Sequence, residues 1–191
     1  MRRDQCLVRR FVNKRRELTT LHPRESRPPA YKLAEGVPVP LNIEPHEVTV
    51  ADMARITRAI VEIEGPIHQD EIARRVTTLL GKSRTGSQIS AAAIRGFKAL
   101  KTSSILVEQD GFWMTPTQLD SPPVRDRSAA PQTLQRPDML SPLEIRAAAK
   151  MAERENGRLS EDETAIAVTR LLGFKRTGPE VRVAILKAIQ R

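Results

Sequence analysis

The chain has 191 residues, 39% hydrophobic and 29% charged but only 3% aromatic, so its core must be built from Leu, Ile, Val and Ala, which favours helices over an all-β fold. The single cysteine, Cys6, excludes an internal disulfide and points to a reducing, cytoplasmic setting; no run approaches the roughly 18 apolar residues of a membrane span, nor is there a secretory leader. The formal net charge of +9 sits at one end: residues 1–32 hold ten Lys/Arg against three acids, whereas residues 33–191 hold 22 against 20, which describes a sticky arm on a nearly neutral body.

Residues 1–49 read as that basic arm followed by a proline-rich linker. Arg2, Arg3, Arg9, Arg10, Lys14, Arg15 and Arg16 fall in the first 16 positions, and six prolines lie between Pro23 and Pro45. A helix is expected from about Val50 to Glu62, with Met53, Ile56, Ile60 and Ile63 on one face and Gly65-Pro66 ending it. A second helix opens near His68, carries Asp70 and Glu71 in its first turn and closes at Gly81, in the position of a C′ glycine. After the basic turn Lys82-Ser83-Arg84, a third helix is expected to start at Thr85, which with Gln88 has the spacing of a capping box. Ile105-Leu106-Val107 and Phe112-Trp113-Met114 flank Gln109-Asp110-Gly111, the signal of a β-hairpin.

A second proline-rich linker covers 117–141, and residues 142–191 then repeat the helical part of the pattern. With an offset of 92, Asp70-Glu71, Ala73, Val76-Thr77, Leu79-Leu80-Gly81 and Arg84-Thr85-Gly86 fall on Asp162-Glu163, Ala165, Val168-Thr169, Leu171-Leu172-Gly173 and Arg176-Thr177-Gly178, eleven identities over 17 gapless positions. Gly65 likewise falls on Gly157. Ser160 with Glu163, and Thr177 with Glu180, repeat the helix-start spacing. The expected fold is therefore mainly α: two tandem winged helix–turn–helix-like units at 50–116 and 142–191. The second has no clear wing, because the chain reaches Arg191 where its hairpin would begin.

Several stretches resemble a bacterial domain of unknown function found at the C-terminal end of large superfamily I helicase-like proteins that also carry a restriction-endonuclease-like nuclease domain. They are Val61-Glu62-Ile63-Glu64-Gly65-Pro66-Ile67-His68 with Asp70-Glu71-Ile72-Ala73-Arg74-Arg75, Ser83-Arg84-Thr85-Gly86-Ser87, Gly111-Phe112-Trp113, Val124-Arg125-Asp126-Arg127-Ser128 and Leu171-Leu172-Gly173-Phe174-Lys175-Arg176-Thr177-Gly178. The resemblance runs from about Tyr31 to the C-terminus. It implies an association with DNA processing or defence, as a free-standing or truncated copy of the terminal module, and it imports no activity.

Nothing in the sequence assembles catalytic machinery. Gly81-Lys82-Ser83 lacks the glycine five positions earlier that a phosphate-binding loop needs, since Val76 stands there, and a helix rather than a strand leads into it. Pro137-Asp138 with Glu144-Ile145-Arg146 lacks the lysine and the strand setting of a metal-dependent nuclease. His22, His46, His68 and Cys6 have no ligand spacing, so no metal, cofactor or small-molecule substrate is expected.

In a winged helix the third helix enters the major groove by its N-terminal residues. Applied here, Lys82, Arg84 and Thr85 would anchor phosphate beside the helix start, and Ser87, Gln88 and Arg95 would face the groove, with Ile89, Ala92, Ala93, Phe97 and Leu100 turned to the core. Lys175 and Arg176 take the phosphate role in the second copy, where Pro179 and Glu180 make the helix start less inviting. Double-stranded DNA is the expected partner, for a non-catalytic accessory module. Two alternatives stay open: docking onto a helicase or nuclease partner through the same faces, and a remnant of a longer gene.

Overall fold

A computed structural model describes residues 27–40, 44 and 47–190. The described part is mainly helical, with seven α-helices and one three-stranded antiparallel sheet. The basic segment 1–20 lies outside the described residues, whereas most of the first proline-rich stretch, with Pro28, Pro29, Pro38 and Pro40, lies within them.

The first unit begins with α1 (Val50–Glu64), whose N-cap Thr49 accepts a hydrogen bond from the Asp52 amide. Met53, Ile56 and Ile60 line its buried face, as the spacing predicts, and Val61 joins them, but Ile63 is 44% exposed. Glu64, not Ile63, completes the buried stripe, because a partner guanidinium waits there. β1 (Ile67–His68) follows, then α2 (Gln69–Leu79), capped by His68 Nδ1, then α3 (Ser87–Thr102). The hairpin β2 (Val107–Gln109) and β3 (Phe112–Met114) turns through Asp110 and Gly111, both at positive φ. β3 is central: Ile67 pairs with Trp113 on one side and Glu108 with Trp113 on the other. The two-residue β1 is too short to leave a period in the sequence, which is why only a hairpin is legible there.

Trp113 lies on Phe97, ring centroids 4.9 Å apart, and with Ile67, Val61 and Ile60 ties the sheet to the helices in one core. Such a ring pair adds about 0.5–1.5 kcal/mol beyond its buried area.

The second unit comprises α5 (Pro142–Asn156), α6 (Glu161–Leu171) and α7 (Pro179–Ile189), around a separate core of Ile145, Ala148, Val168, Leu172 and Ile185. The short α4 (Pro116–Asp120) precedes it. The repeat is structural as well as sequential: α1, α2 and α3 begin at 50, 69 and 87, and α5, α6 and α7 at 142, 161 and 179, each 92 later. Gly81 and Gly173 both follow the helix end at positive φ, and Thr77 and Thr169 both bond back to the carbonyl four residues earlier. The capping box of Ser160 and Glu163 is present. The other expected starts, at Thr85 and Thr177, are two residues early: Gly86 and Gly178 are the N-caps, and neither helix has a side-chain cap. Thr85 is drawn away from the helix because its hydroxyl shares a 2.8 Å hydrogen bond with that of Thr77.

Between the units, residues 117–141 form an ordered strap. Asp126 donates its N–H to the Pro29 carbonyl and accepts from the Tyr31 N–H, so residues 29–31 and 126 run side by side. Arg125 reaches into unit one and donates to the Ile63 and Gly65 carbonyls at the end of α1, beside Gln118, which donates to those of Val61 and Glu62. The Glu62, Ile63 and Gly65 carbonyls, which the Gly65-Pro66 break leaves without helical partners, are thereby satisfied, while that of Val61 also accepts from the Gly65 amide. Arg127 turns to unit two: its backbone N–H meets the Leu172 carbonyl, and its guanidinium meets Glu144 at 2.7 Å.

The Tyr31 ring lies within cation–π range of both guanidiniums, 4.7 Å from Arg125 and 4.9 Å from Arg127. Its hydroxyl donates to Glu64, which also accepts from the Ala34 amide and, twice, from Arg75. Glu64, Glu71 and Glu144 are thus buried against Arg75, Arg125 and Arg127, and the half-buried Arg74 also pairs with Glu71. Gly173 fits beneath the strap because a Cβ there would stand 2.6 Å from the Ser128 amide nitrogen and 2.8 Å from that of Arg127.

Burial, and after it the Glu64 carboxylate, push the Tyr31 hydroxyl well above its ordinary value of 10. A raised acid favours its neutral form in the fold, so this contribution is intact below pH 10 and fades as pH climbs beyond it. Tyr31 is the only tyrosine, so tyrosinate absorbance should stay absent through pH 10 and emerge only with unfolding. A reversible titration near 10 in the folded chain would contradict the seam. Arg127→Met leaves Glu144 buried without its guanidinium and should cost about 3–5 kcal/mol in chemical denaturation. Adding Glu144→Gln should recover part of that loss, because no bare carboxylate then remains buried.

Candidate nucleic-acid interface

The corner between α2 and α3 is made by backbone first. Gly81 reverses the chain at φ +67°, and the Lys82 amide returns to the Thr77 carbonyl at 3.0 Å, which throws residues 82–86 outward. α3 then starts on Gly86 with no side chain on its first-turn N–H groups and no acid in that turn. Nothing lies within 4 Å of a Cβ placed on Gly86, the position from which a side chain would cap these donors.

Along α3 the buried face is Ile89, Ala92, Ala93, Phe97 and Leu100, as expected, together with Gly96. The helix is held close to α1 by Gly96, where a Cβ would sit 3.1 Å from the Met53 backbone. Opposite this face, Ser87, Gln88, Ala91, Arg95 and Lys98 are exposed, at spacings of three and four that form one stripe. The helix carries Arg95, Lys98 and Lys101 and not one acid.

The cations of the corner are not equivalent. Lys82 is half-buried and bonded to Glu44 at 3.0 Å. Lys101 pairs with Glu108 and sits 5.9 Å from the centroid of Trp113, so it braces the hairpin. The Gly111 amide, then Lys101, hold Glu108 below the ordinary carboxylate value. Arg84, Arg95 and Lys98 are exposed and make no ion pair with another described residue. Thr85 is exposed, but its hydroxyl is engaged by Thr77.

At the matching corner of unit two, Lys175 and Arg176 are exposed. There Pro179 opens α7, Glu180 stands in its first turn, and Arg182 is held by Asp162 at 2.7 Å. The eight residues read from the sequence therefore divide between two corners: Lys82, Arg84, Thr85, Ser87, Gln88 and Arg95 share one, and Lys175 and Arg176 belong to the other. The buried seam of Tyr31, Glu64, Arg75 and Glu144 follows from no periodicity: Glu64 and Arg75 fall within stretches of family resemblance, but nothing in the sequence brings the four together.

Among the described residues no group of three His, Cys, Asp or Glu side chains is placed to hold a metal ion, and no helix is long and apolar enough to cross a membrane. No curated protein and no solved structure matches the chain. A family model described as a protein of unknown function (DUF3320) matches residues 44–91, so the stretch from the approach to α1 through the first turns of α3 carries a domain of unknown function.

Proposed function

We propose that the chain is a non-catalytic DNA-binding accessory module that sets the exposed stripe of α3 against duplex DNA. The observation that carries this is the pairing of an acid-free helix face, with Arg84, Arg95 and Lys98 free of ion pairs to other described residues, with an uncapped helix start beside it. The order helix, strand, helix, helix, strand, strand, with β3 between β1 and β2, supports reading unit one as a winged helix–turn–helix. In that reading α3 is the recognition helix, Gln88 and Arg95 face base edges, and Arg84 and the first-turn amides take phosphate. Lys82 and Lys175 with Arg176 add secondary phosphate contacts. The resemblance to the terminal domain of helicase–nuclease proteins supports a setting beside DNA-processing machinery.

Binding to a duplex of about 20 base pairs, followed by anisotropy across a salt series, tests this. A variant with the seven basic side chains of residues 1–16 changed to Gln should keep salt-sensitive binding. The combined change Arg84→Ala and Arg95→Ala should weaken it about tenfold and lower the salt slope by about two. Loss of all low-salt binding in the arm variant alone would assign the affinity to the arm and overturn the reading.

Gly86→Asp separates folding from binding. At φ −86° Gly86 has a backbone that any residue adopts, so Asp can cap α3 and raise stability by a few tenths of a kcal/mol. The same carboxylate occupies the amides proposed for phosphate, so DNA affinity should fall while thermal stability rises.

A further inference from the structure

A groove of about 600 Å³ runs along α5 on the side that meets α4 and the start of the strap. Leu119, Pro122 and Val124 form one wall, and Leu143, Ala147 and Met151 the other. Arg146, Lys150 and Arg154 also line it, one per turn of α5, so the row rises by about 6 Å at each step. The lining holds a single acid, Asp120. None of the three cations makes an ion pair with another described residue, and Arg146 donates to the Ala188 carbonyl at 3.2 Å. Glu153, three residues after Lys150, does not line this groove and is not ion-paired to it. Like charges four residues apart on a helix repel. The counterparts 92 residues earlier, Ala54, Arg58 and Glu62, carry no such row, because Arg58 and Glu62 form an ion pair at 2.7 Å. Those two side chains are 53% and 46% exposed although unit one has its hairpin, so the element after the third helix does not reach this face. What sets the groove apart is its row of like charges, not its openness.

We infer that this groove docks an acidic amphipathic helix of a partner protein, which sets a carboxylate on each turn against Arg146, Lys150 and Arg154 and an apolar edge on Leu119, Leu143 and Met151. Carboxylates four residues apart on a helix are also about 6 Å apart, so the two rows match turn for turn. The incoming charges relieve the repulsion along α5, and the apolar walls let the occupant's other edge leave water. An extended acidic peptide fits less well. Pro122 and Pro123 remove two N–H donors from the strap side, so a strand finds no edge to pair with, whereas a helix satisfies its own backbone. A nucleic-acid strand also fits less well, because no aromatic ring among the described residues lines the groove for bases to stack on. The segment 1–26 has the wrong charge to be the occupant, with eight Lys/Arg against three acids. The groove is separate from the stripe proposed for DNA, which belongs to α3 of unit one.

The probe is a cross-linked helical peptide with Glu at every fourth position and Leu along the adjoining edge, in which the cross-link supplies the order that a free helix lacks. Titrated into the isotope-labelled full chain, it should bind saturably with a Kd below about 1 mM. Amide shifts should centre on Leu119, Val124 and Met151. Lys150→Glu, at an exposed position, should weaken binding about tenfold while leaving the spectrum elsewhere unchanged. Changing the central Glu of the peptide to Lys should restore part of that loss on the Lys150→Glu chain, because the pair is then re-formed with its signs exchanged. No saturation, shifts centred on α3, indifference to Lys150→Glu, or no recovery on the exchange would each overturn the proposal. A single-stranded oligonucleotide or an anionic lipid vesicle that gives the same shifts at lower concentration would overturn it by showing a different occupant. So would a concentration-dependent dimer that Lys150→Glu dissociates, since a second copy then fills the groove.

Discussion

The structure depends on one buried seam of charge. Ion pairs on protein surfaces contribute little, but a carboxylate removed from water must be matched almost completely or it unfolds its surroundings. Here Glu64 accepts four hydrogen bonds, and Glu144 is held by Arg127 and the Arg125 amide. No single element supplies the match: the carboxylates come from α1, α2 and α5, the guanidiniums from α2 and the strap, and the ring from residue 31. Each unit has an apolar core of its own, yet the groups that satisfy its buried acids are shared. The arrangement fixes how the units meet, since apolar contact alone tolerates sliding whereas a hydrogen-bonded guanidinium does not.

That rigidity bears on the exposed corners. With α2 and the end of α1 tied down by Arg75, Arg125 and Gln118, the turn after α2 projects from a fixed base. The two copies then diverge at the surface while agreeing in the backbone. Thr77 and Thr169, Gly81 and Gly173, and Gly86 and Gly178 keep the same geometry. Against that shared frame, α3 has no acid, α7 begins with Glu180, and only unit one has a sheet among the described residues. The duplicated scaffold therefore carries two unlike surfaces.

Much of the helical frame is legible in the sequence, for physical reasons. The buried stripe of α3 and the glycines after α2 and α6 follow from side-chain period and from the demands of positive φ, both local rules. The gapless offset of 92 carries over to three dimensions because each helix start is itself a local signal. The seam is illegible because its logic is nonlocal. Arg125 and Arg127 look like ordinary linker charges until Glu64 and Glu144 are known to lie on either side, 61 and 17 residues away by subtraction. Prolines around them, such as Pro122, Pro123 and Pro131, suggest slack chain, although a strap that donates side chains rather than backbone can accommodate them. Glu64 takes the buried place that periodicity gives to Ile63 for the same reason: polarity along one helix cannot announce a partner on another.

The side-by-side run of residues 29–31 with 126 has an architectural consequence. Tyr31 and Asp126 are joined by a 2.8 Å backbone hydrogen bond, so everything from 32 to 125 leaves and returns through one doorway. Topologically the first unit is a loop-out on a shorter chain that passes from the arm straight into the second. A unit with adjacent ends can be exchanged or enlarged without dragging its neighbour out of place. The charged doorway, not the interior of either half, is then the point at which the two units are tied together.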